Sequence, residues 1–203
     1  MPLSARVCDE LPFGFGWIAE QPAHLQRASH ALAEDGRVWL IDPVDAPELE
    51  ARIKAFGKVA GVIQLLARHA RDGAALARRW EVPLHRAFGE GVPGSPFRTV
   101  RVVSFPRWRE AALWWPEQRT LVVADAFGTA SYFLGPGELL AVHPLLRLLP
   151  PRTLGSVAPE HVLCGHGEGV HGAEAAGAVR DALQNARGGI PRWLVGVVRR
   201  GKG

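Results

Sequence analysis

Three short apolar runs of this sequence each lead into side chains that bind metal ions or transfer protons in enzymes. The runs and the polar residues that follow them are 62–66 before His69 and Asp72, 121–124 before Asp125, and 162–164 before His166. Runs of this length are typical of buried strands, and side chains at the ends of rigid strands can be held accurately in one place. The sequence therefore predicts one shared site at the strand ends.

The composition predicts a globular domain with a sizeable core. The 203 residues are 47% hydrophobic, which fits a single domain spanning residues 1–203. No run approaches the roughly 18 apolar residues of a membrane-spanning helix, and the N-terminal segment lacks the apolar centre of a signal peptide. We therefore expect a cytoplasmic protein that does not enter the membrane. The two cysteines, Cys8 and Cys164, are too few for a disulfide framework and are expected to be reduced.

The formal net charge of +4 raises the question of a polyanionic partner. The arginines are mostly scattered among Asp and Glu, with no long basic block and no aromatic-basic RNA-binding signature. Nucleic acid is therefore not an expected partner, although the basic tail with Arg199, Arg200 and Lys202 keeps polyanion binding as a weaker alternative. A small-molecule substrate is the partner that a strand-end site favours.

The first half of the chain has the patterns of a hairpin followed by alternating helices and strands. Residues 30–34 and 37–41 are predicted strands, joined by an Asp-Gly dipeptide that suits a tight turn. A helix is predicted over 46–56 with Asp45 as its N-cap. After the strand at 62–66, Asp72 can cap a second helix.

The second half of the chain predicts another hairpin and a final strand and helix. Residues 111–115 and 120–124 are expected to pair, the Pro/Gly-rich stretch 126–160 is expected to be irregular, and 161–164 is a predicted strand. An Ala-rich helix is predicted over 173–187. The chain thus belongs to the mixed α/β class.

Four motifs occur in an order that resembles the metallo-β-lactamase-fold hydrolases. They are Ile41-Asp42-Pro43, the strand-to-helix turn with Asp72, the sequence Ala124-Asp125-Ala-Phe-Gly128, and Gly165-His166-Gly167. The resemblance covers about residues 28 to 187 and identifies the chain as a divergent member. It implies a four-layer αββα sandwich with a metal site at one edge, between two sheets.

Typical members of that family bind two metals, often zinc, through a His-x-His-x-Asp-His motif and later His and Asp residues. When the motif is aligned on Asp72, its three histidine positions fall on Arg68, Ala70 and Gly73. The interval between His85 and Asp125, where an isolated histidine belongs, contains none. A site for two metals is therefore not expected in this chain.

The residues that remain could hold one metal. They are His69, Asp72, Asp125 and His166. Imidazole and carboxylate ligands suit zinc, and a carboxylate-rich set also suits manganese or iron. The resemblance then implies a single-metal hydrolase that activates water for attack on an ester, thioester or amide, with Asp72 as the candidate catalytic residue.

A catalytically inactive relative, acting as a binding or structural module, is the alternative. In that case Arg68 or Arg71 neutralises the carboxylates in place of a metal, because two buried carboxylates without a cation repel each other. Asp72 would be only a helix cap, His69 would orient the turn, and His166 would be a packed turn histidine.

Other reactive residues have weaker patterns. His143 lies in the irregular stretch and is a second candidate for contact with substrate. A helix-start position is expected for His171 and a surface or packing position for His85. Cys164 precedes Gly-His-Gly and could act as a nucleophile or a ligand, but its place in an apolar strand favours a buried, unreactive thiol.

Overall fold

Six strands from the N-terminal half form the first sheet. The computed structural model describes residues 4–20, 25–89, 91–106 and 108–200. The strands are β1 (Ala5–Leu11), β2 (Gly14–Ala19), β3 (Ala28–Glu34), β4 (Arg37–Ile41), β5 (Lys58–Gln64) and β6 (Leu84–Arg86). They lie side by side in chain order. Neighbours from β1 to β4 are antiparallel, whereas β4, β5 and β6 run parallel.

The C-terminal half forms a second sheet of five strands and a small strand pair. The strands are β7 (Arg98–Phe105), β8 (Trp108–Trp115), β9 (Thr120–Val123), β10 (Phe127–Gly128), β11 (Ala141–Val142), β12 (His161–Cys164) and β13 (Val170–His171). The sheet order is β13-β12-β9-β8-β7, and β10 pairs with β11 alone. Within the sheet β12 and β9 are parallel, and the other neighbours are antiparallel.

Four α-helices accompany the sheets in the part of the chain that the structure describes. They are α1 (Glu50–Phe56), α2 (Gly73–Arg79), α3 (Ala175–Asn185) and α4 (Ile190–Arg200). The first two helices connect parallel strands of the first sheet, because a parallel connection needs a crossover that a tight turn cannot provide.

The two sheets share one hydrophobic core. Trp39 and Ile63 of the first sheet belong to the same buried cluster as Leu113 of the second sheet and Val179 of α3. A separate cluster joins the opposite face of the first sheet to α1 and α2; its members include Trp17, Leu40, Ile53 and Leu76. Helices therefore cover the first sheet, the sheets pack on each other, and α3 packs with the second sheet.

Both predicted hairpins and the mixed α/β class are confirmed. Glu34 lies opposite Arg37 across a turn in which Asp35 and Gly36 have positive φ, as the Asp-Gly dipeptide predicts. In the second hairpin, β8 pairs with β9. The stretch 126–160 is irregular except for β10, β11 and short 3₁₀ turns.

The sequence did not predict the hairpin of β1 and β2, which precedes β3 in the first sheet. Glycines in β2 argue against a strand, but Gly16 has a steric reason: a Cβ there would lie 2.9 Å from His30 Cδ2 and 3.0 Å from Asp9 Oδ2. The small residue allows groups on both neighbouring strands to approach each other.

Both predicted helix caps are wrong in their side-chain contacts. The helix expected from 46 begins as a 3₁₀ turn at Pro47, and α1 follows it. The carboxylate of Asp45 binds Arg79 instead of capping the helix. Asp72 does precede α2, but its side chain makes no capping bond; its Oδ2 accepts a hydrogen bond from the Asp45 N–H at 2.8 Å. The carboxylates of Asp45 and Asp72 thus bind groups that are distant in sequence instead of capping the helices beside them.

The predicted C-terminal helix is α3, which ends before Gly188 and Gly189 as expected. A further helix, α4, follows these glycines, and the sequence did not predict it. Arg199 and Arg200 of the expected basic tail lie in the last turn of α4, and Lys202 is outside the described residues. None of the helices found in the described part of the chain has the length and hydropathy that crossing a bilayer requires.

A buried carboxylate links β1 to the second sheet. Asp9 has a positive φ of 50° beside an irregularity in the β1–β2 register. Its Oδ1 accepts hydrogen bonds from the Gly169 N–H at 2.7 Å and from His171 Nε2 at 3.0 Å. The pKa of Asp9 is lowered because these bonds and the nearby His30 outweigh the effect of burial. The ionised form of Asp9 therefore stabilises the fold.

We expect Asp9→Asn to lower the free energy of unfolding at pH 7 by about 2 kcal/mol, because bonds to a charged acceptor become bonds to a neutral one. A lowered native pKa stabilises above the unfolded pKa of about 4 and is lost as the pH falls through the native value. The gap between wild type and variant should thus persist from pH 7 to 5 and shrink below pH 4. Urea unfolding across this range measures it, with the exposed Glu117→Gln as control. A gap independent of pH would contradict the assignment.

Candidate metal centre

Residues from three strand ends meet at one edge of the protein. His69 lies in the loop after β5, Asp125 follows β9, and His166 follows β12. The Nε2 atoms of His69 and His166 are 3.1 Å and 3.2 Å from Asp125 Oδ1, and the three side chains are 9%, 10% and 6% exposed in the order His69, His166, Asp125. In the part of the chain that is described, this is the one group of three such ligands lying within 4.8 Å of one another.

Parallel pairing explains the convergence. In the first sheet β4 and β5 are parallel, and in the second sheet β9 and β12 are parallel. The carboxyl ends of each pair therefore lie at the same edge of their sheet, which is where open sheets carry ligands. Because the sheets pack face to face, the two edges present their side chains to each other.

Each histidine of the group is oriented by an acceptor at its other nitrogen. His69 Nδ1 is 2.9 Å from Asp42 Oδ2, and His166 Nδ1 is 2.9 Å from the carbonyl oxygen of Leu25. A carboxylate and a carbonyl can only accept, so both Nδ1 atoms carry hydrogen. In the neutral imidazoles, both Nε2 atoms then present lone pairs.

Three electron-rich atoms thus face one another. Asp125 Oδ1 is buried and has no hydrogen-bond partner, although the Nε2 lone pairs of His69 and His166 point into the same space. A buried unpaired acceptor costs about 1–3 kcal/mol, and a cation among the three atoms would remove that cost. The donor set, two imidazoles and one carboxylate, suits zinc in particular.

A proton is the other cation that the group can accept. Burial and the charge of Arg71 lower the pKa of His69, but the neighbouring carboxylates of Asp125 and Asp42 outweigh them, so the pKa is raised overall. The same histidines hold the pKa of Asp125 well below its usual range despite burial. A proton on His69 Nε2 and a metal ion would therefore occupy the same space beside Asp125 Oδ1.

Arg68 binds the second oxygen of Asp125. Its Nη2 and Nε donate to Asp125 Oδ2 at 2.5 Å and 3.2 Å. The guanidinium carbon also lies 3.9 Å from the ring centroid of Trp108, a cation–π contact that fixes its position. Only Oδ2 is engaged in this way, so Oδ1 remains directed at the histidines.

Arg71 fastens the strand ends beneath the site. Its Nη1 donates to the carbonyl oxygens of Ala28 and, at 2.7 Å, of Asp42, and its Nη2 donates to that of Gly165 at 2.9 Å. These carbonyls belong to the ends of β3, β4 and β12, so one side chain joins both sheets. Arg71 has no contact with the oxygens of Asp125, and its part is structural.

Glu110 of β8 supports the backbone of the site. Its Oε1 accepts the N–H groups of Asp125 and Ala126 at 2.9 Å and 2.8 Å, and its Oε2 accepts from Trp108 Nε1 at 3.0 Å. Burial, with a contribution from the charge of Asp125, raises the pKa of Glu110 to about 7. The carboxyl group of Glu110 therefore fixes the backbone just after β9, where Asp125 lies.

Asp72, the predicted fourth ligand and catalytic residue, is not brought into the group. Its Oδ2 is bound to the Asp45 N–H, and the close set of ligand atoms contains only His69, Asp125 and His166. The turn places Asp72 at the start of α2, where the chain already leads away from the strand end.

His143 is buried near the group, without joining it. Its ring contacts Trp108, Phe133 and Tyr132 at centroid distances of 4.8, 5.2 and 5.8 Å, and its Nδ1 accepts from the Leu145 N–H. Burial, with the charges of Arg68 and His166, lowers its pKa to about 4. His143 is therefore neutral at pH 7.

Cys164 and His85 have packing positions. Cys164 is fully buried, and burial raises the pKa of its thiol, so it stays protonated. His85 is half-buried on β6 and packs beside Gly61 of β5.

The sequence analysis named Asp42 only within the Ile41-Asp42-Pro43 motif, without a role at the site, and it missed Glu110. Asp42 had a readable signal, because it follows an apolar run, residues 38–41, in the same way as Asp125 follows its own. Glu110 had none: it stands between Arg109 and Ala111, where no motif or spacing marks it, and only the tertiary packing buries it.

Two packed sheets with helices beside them, and a His–Asp–His group at the strand ends, define a protein of the metallo-β-lactamase fold. A metallo-β-lactamase from Pontibacter korlensis matches with a TM-score of 0.60 at 14% identity, over 90% of this chain and 100% of that one. TMB-1 matches at 0.58 and 12% identity, covering 92% and 99%, and the DIM-1 metallo-β-lactamase at 0.55 and 10%, covering 92% and 100%.

The likeness is one of structure. No family model matches the sequence. A comparison with curated proteins likewise gives no match. At 10–14% identity the shared property is the fold, which confirms the resemblance expected from the motif order at that level.

We expect Arg71→Met to lower the free energy of unfolding by at least about 3 kcal/mol, because three carbonyl acceptors at the strand ends lose their donor. Chemical denaturation measures the loss. Arg78→Met, at an exposed position of α2, is the matched control and should change stability little. Equal effects of the two substitutions would show that Arg71 does not fasten the sheets.

Proposed function

We propose that this protein is a metal-dependent hydrolase with one metal ion, held by His69, Asp125 and His166, that acts on a small ester, thioester or amide. One observation carries the proposal: three buried ligand atoms converge, and the acceptors at both Nδ1 atoms turn the imidazole lone pairs toward an unpartnered carboxylate oxygen. Protein groups hold zinc-binding histidines in this manner in general. The metallo-β-lactamase fold supports the same function.

The bound cation would supply a Lewis acid and lower the pKa of a coordinated water toward about 7. Zinc is the first choice for this donor set, with manganese or iron as the alternatives. Three protein ligands leave a further coordination position for water or substrate, which distinguishes catalytic sites from structural ones.

Three further residues, Arg68, His143 and Asp42, contribute charge, packing and orientation around the proposed ligands. Arg68, whose side chain is 43% exposed, is the cation that a substrate oxygen or carboxylate can reach, since its guanidinium is fixed by Asp125 and Trp108. Phe133, one of the aromatic neighbours of His143, stacks on the ring of His166 at a centroid distance of 5.7 Å. Asp42 keeps His69 in the tautomer that can bind a cation.

Protein purified without added metal is expected to contain about one equivalent of zinc, iron or manganese per chain, as measured by elemental analysis. His166→Ala and Asp125→Asn should reduce that content, and the hydrolysis of a small activated ester, at least tenfold, because each removes a ligand. His85→Ala is the matched control and should retain both. Metal content below about a tenth of an equivalent in wild type would refute the proposal.

A second candidate function is a catalytically inactive binding or structural module. The ion pair between Arg68 and Asp125 favours it, because a guanidinium already neutralises the carboxylate without a metal. In this candidate the charge on His69 completes the network, and the fold serves recognition of a partner.

Thermal unfolding with and without a chelator separates the two candidates. A metal protein saturated about a hundredfold above Kd gains about 2.7 kcal/mol, so the chelator should lower Tm by about 5–10 °C. The decrease should be larger in Arg68→Met, where Asp125 loses both of its cations, and unchanged in the exposed control Arg86→Met. For the inactive module, the chelator leaves Tm unchanged in all three proteins.

A further inference from the structure

A second pair of histidines faces each other at the opposite end of β12 from His166. His161 begins β12 and lies directly opposite His171 in the antiparallel register with β13. Their Nδ1 atoms are 3.1 Å apart. His166 lies five positions after His161, which is roughly 16 Å of extended chain, so the pair is separate from the His69–Asp125–His166 group.

The carboxylate of Asp9 sets the tautomer of His171. Asp9 Oδ1 is 3.0 Å from His171 Nε2 and can only accept, so Nε2 carries the hydrogen. In the neutral ring, the lone pair is therefore on Nδ1, which faces the Nδ1 of His161. Asp9 is itself fixed by the Gly169 N–H and is only 2% exposed. A buried carboxylate behind an imidazole is the arrangement that orients metal-binding histidines.

The rings are also positioned and accessible. Phe13 packs against the ring of His161 at a centroid distance of 5.7 Å. His171 is 34% exposed and His161 is half-buried, so an ion can reach both rings from solvent.

The surrounding charges favour nitrogen ligands over oxygen ligands. Glu160, the nearest carboxylate in sequence, is bound to Arg119 Nη1 at 2.5 Å, and Asp9 is engaged with His171 and Gly169. A calcium or magnesium ion needs several oxygen ligands, whereas imidazole pairs suit copper, nickel and zinc, with copper(II) bound most strongly.

We propose that His161 and His171 form a second, solvent-accessible metal site, a two-histidine chelate across β12 and β13 that takes Cu²⁺ most strongly and also Ni²⁺ or Zn²⁺. The two Nδ1 atoms are the protein ligands, and water or an external ligand fills the remaining positions. Asp9 is the positioning residue. This site does not depend on the proposed hydrolase function, because no residue is shared between the two.

Titration with Cu²⁺ alone, at pH 7.5 in a non-coordinating buffer, tests the proposal by calorimetry and by electron paramagnetic resonance. We expect nitrogen coupling from the bound Cu²⁺. His161→Ala and His171→Ala should each weaken this binding at least tenfold, and His85→Ala should leave it unchanged. His166→Ala should also retain this binding. That result would distinguish the His161–His171 site from any Cu²⁺ bound at the His69–Asp125–His166 group.

Asp9→Asn should weaken the binding about tenfold without removing it, as expected of an outer partner. Circular dichroism checks that each variant is folded, and His161→Gln with His171→Gln replaces the alanine variants if these do not fold. The proposal is overturned if Cu²⁺ binding is the same with and without the two imidazoles, or if wild type takes up Cu²⁺ only at the site that His166→Ala removes.

Discussion

The guanidinium of Arg71 is the contact on which the geometry of the site depends. It joins carbonyl oxygens at the ends of β3, β4 and β12, and therefore ties the first sheet to the second at the edge where the ligands lie. Burial lowers the pKa of Arg71, but a guanidinium keeps its charge in proteins. This permanently charged group accounts for how loops from separate sheets hold both imidazole Nε2 atoms within 3.2 Å of one carboxylate oxygen of Asp125.

The two carboxylate oxygens of Asp125 have different electrostatic neighbours. Oδ2 is neutralised by Arg68, and Oδ1 faces the lone pairs of His69 and His166. A carboxylate with one guanidinium and one open oxygen carries less excess charge than the carboxylate pair expected from the sequence. This division leaves one oxygen open to the cation that the proposed function requires, and the same residues also permit a metal-free ion-pair network.

Much of the fold was predictable because hydrophobic period and turn chemistry are local. The hairpin through Asp35 and Gly36, the strand before His166 and the mixed class all follow from neighbouring residues. The predicted helix caps were wrong because the carboxylates of Asp45 and Asp72 bind groups that are distant in sequence. Three of the four predicted ligands converge, since strand ends are positioned by the sheets, whereas Asp72 and Glu110 depend on packing that no local pattern encodes.

The segment that leads to Arg68 and His69 is also hydrogen-bonded to the second sheet. The Ala67 N–H binds the Arg109 carbonyl, and the Ala111 N–H binds the Leu65 carbonyl, so the segment before His69 is hydrogen-bonded to β8 across a long stretch of chain. Contacts between residues far apart in sequence form late, because the entropy of loop closure must be overcome first. The cluster of His69, Asp125 and His166 therefore assembles only when both sheets have docked, and no fragment that contains only one of the sheets can carry it during folding.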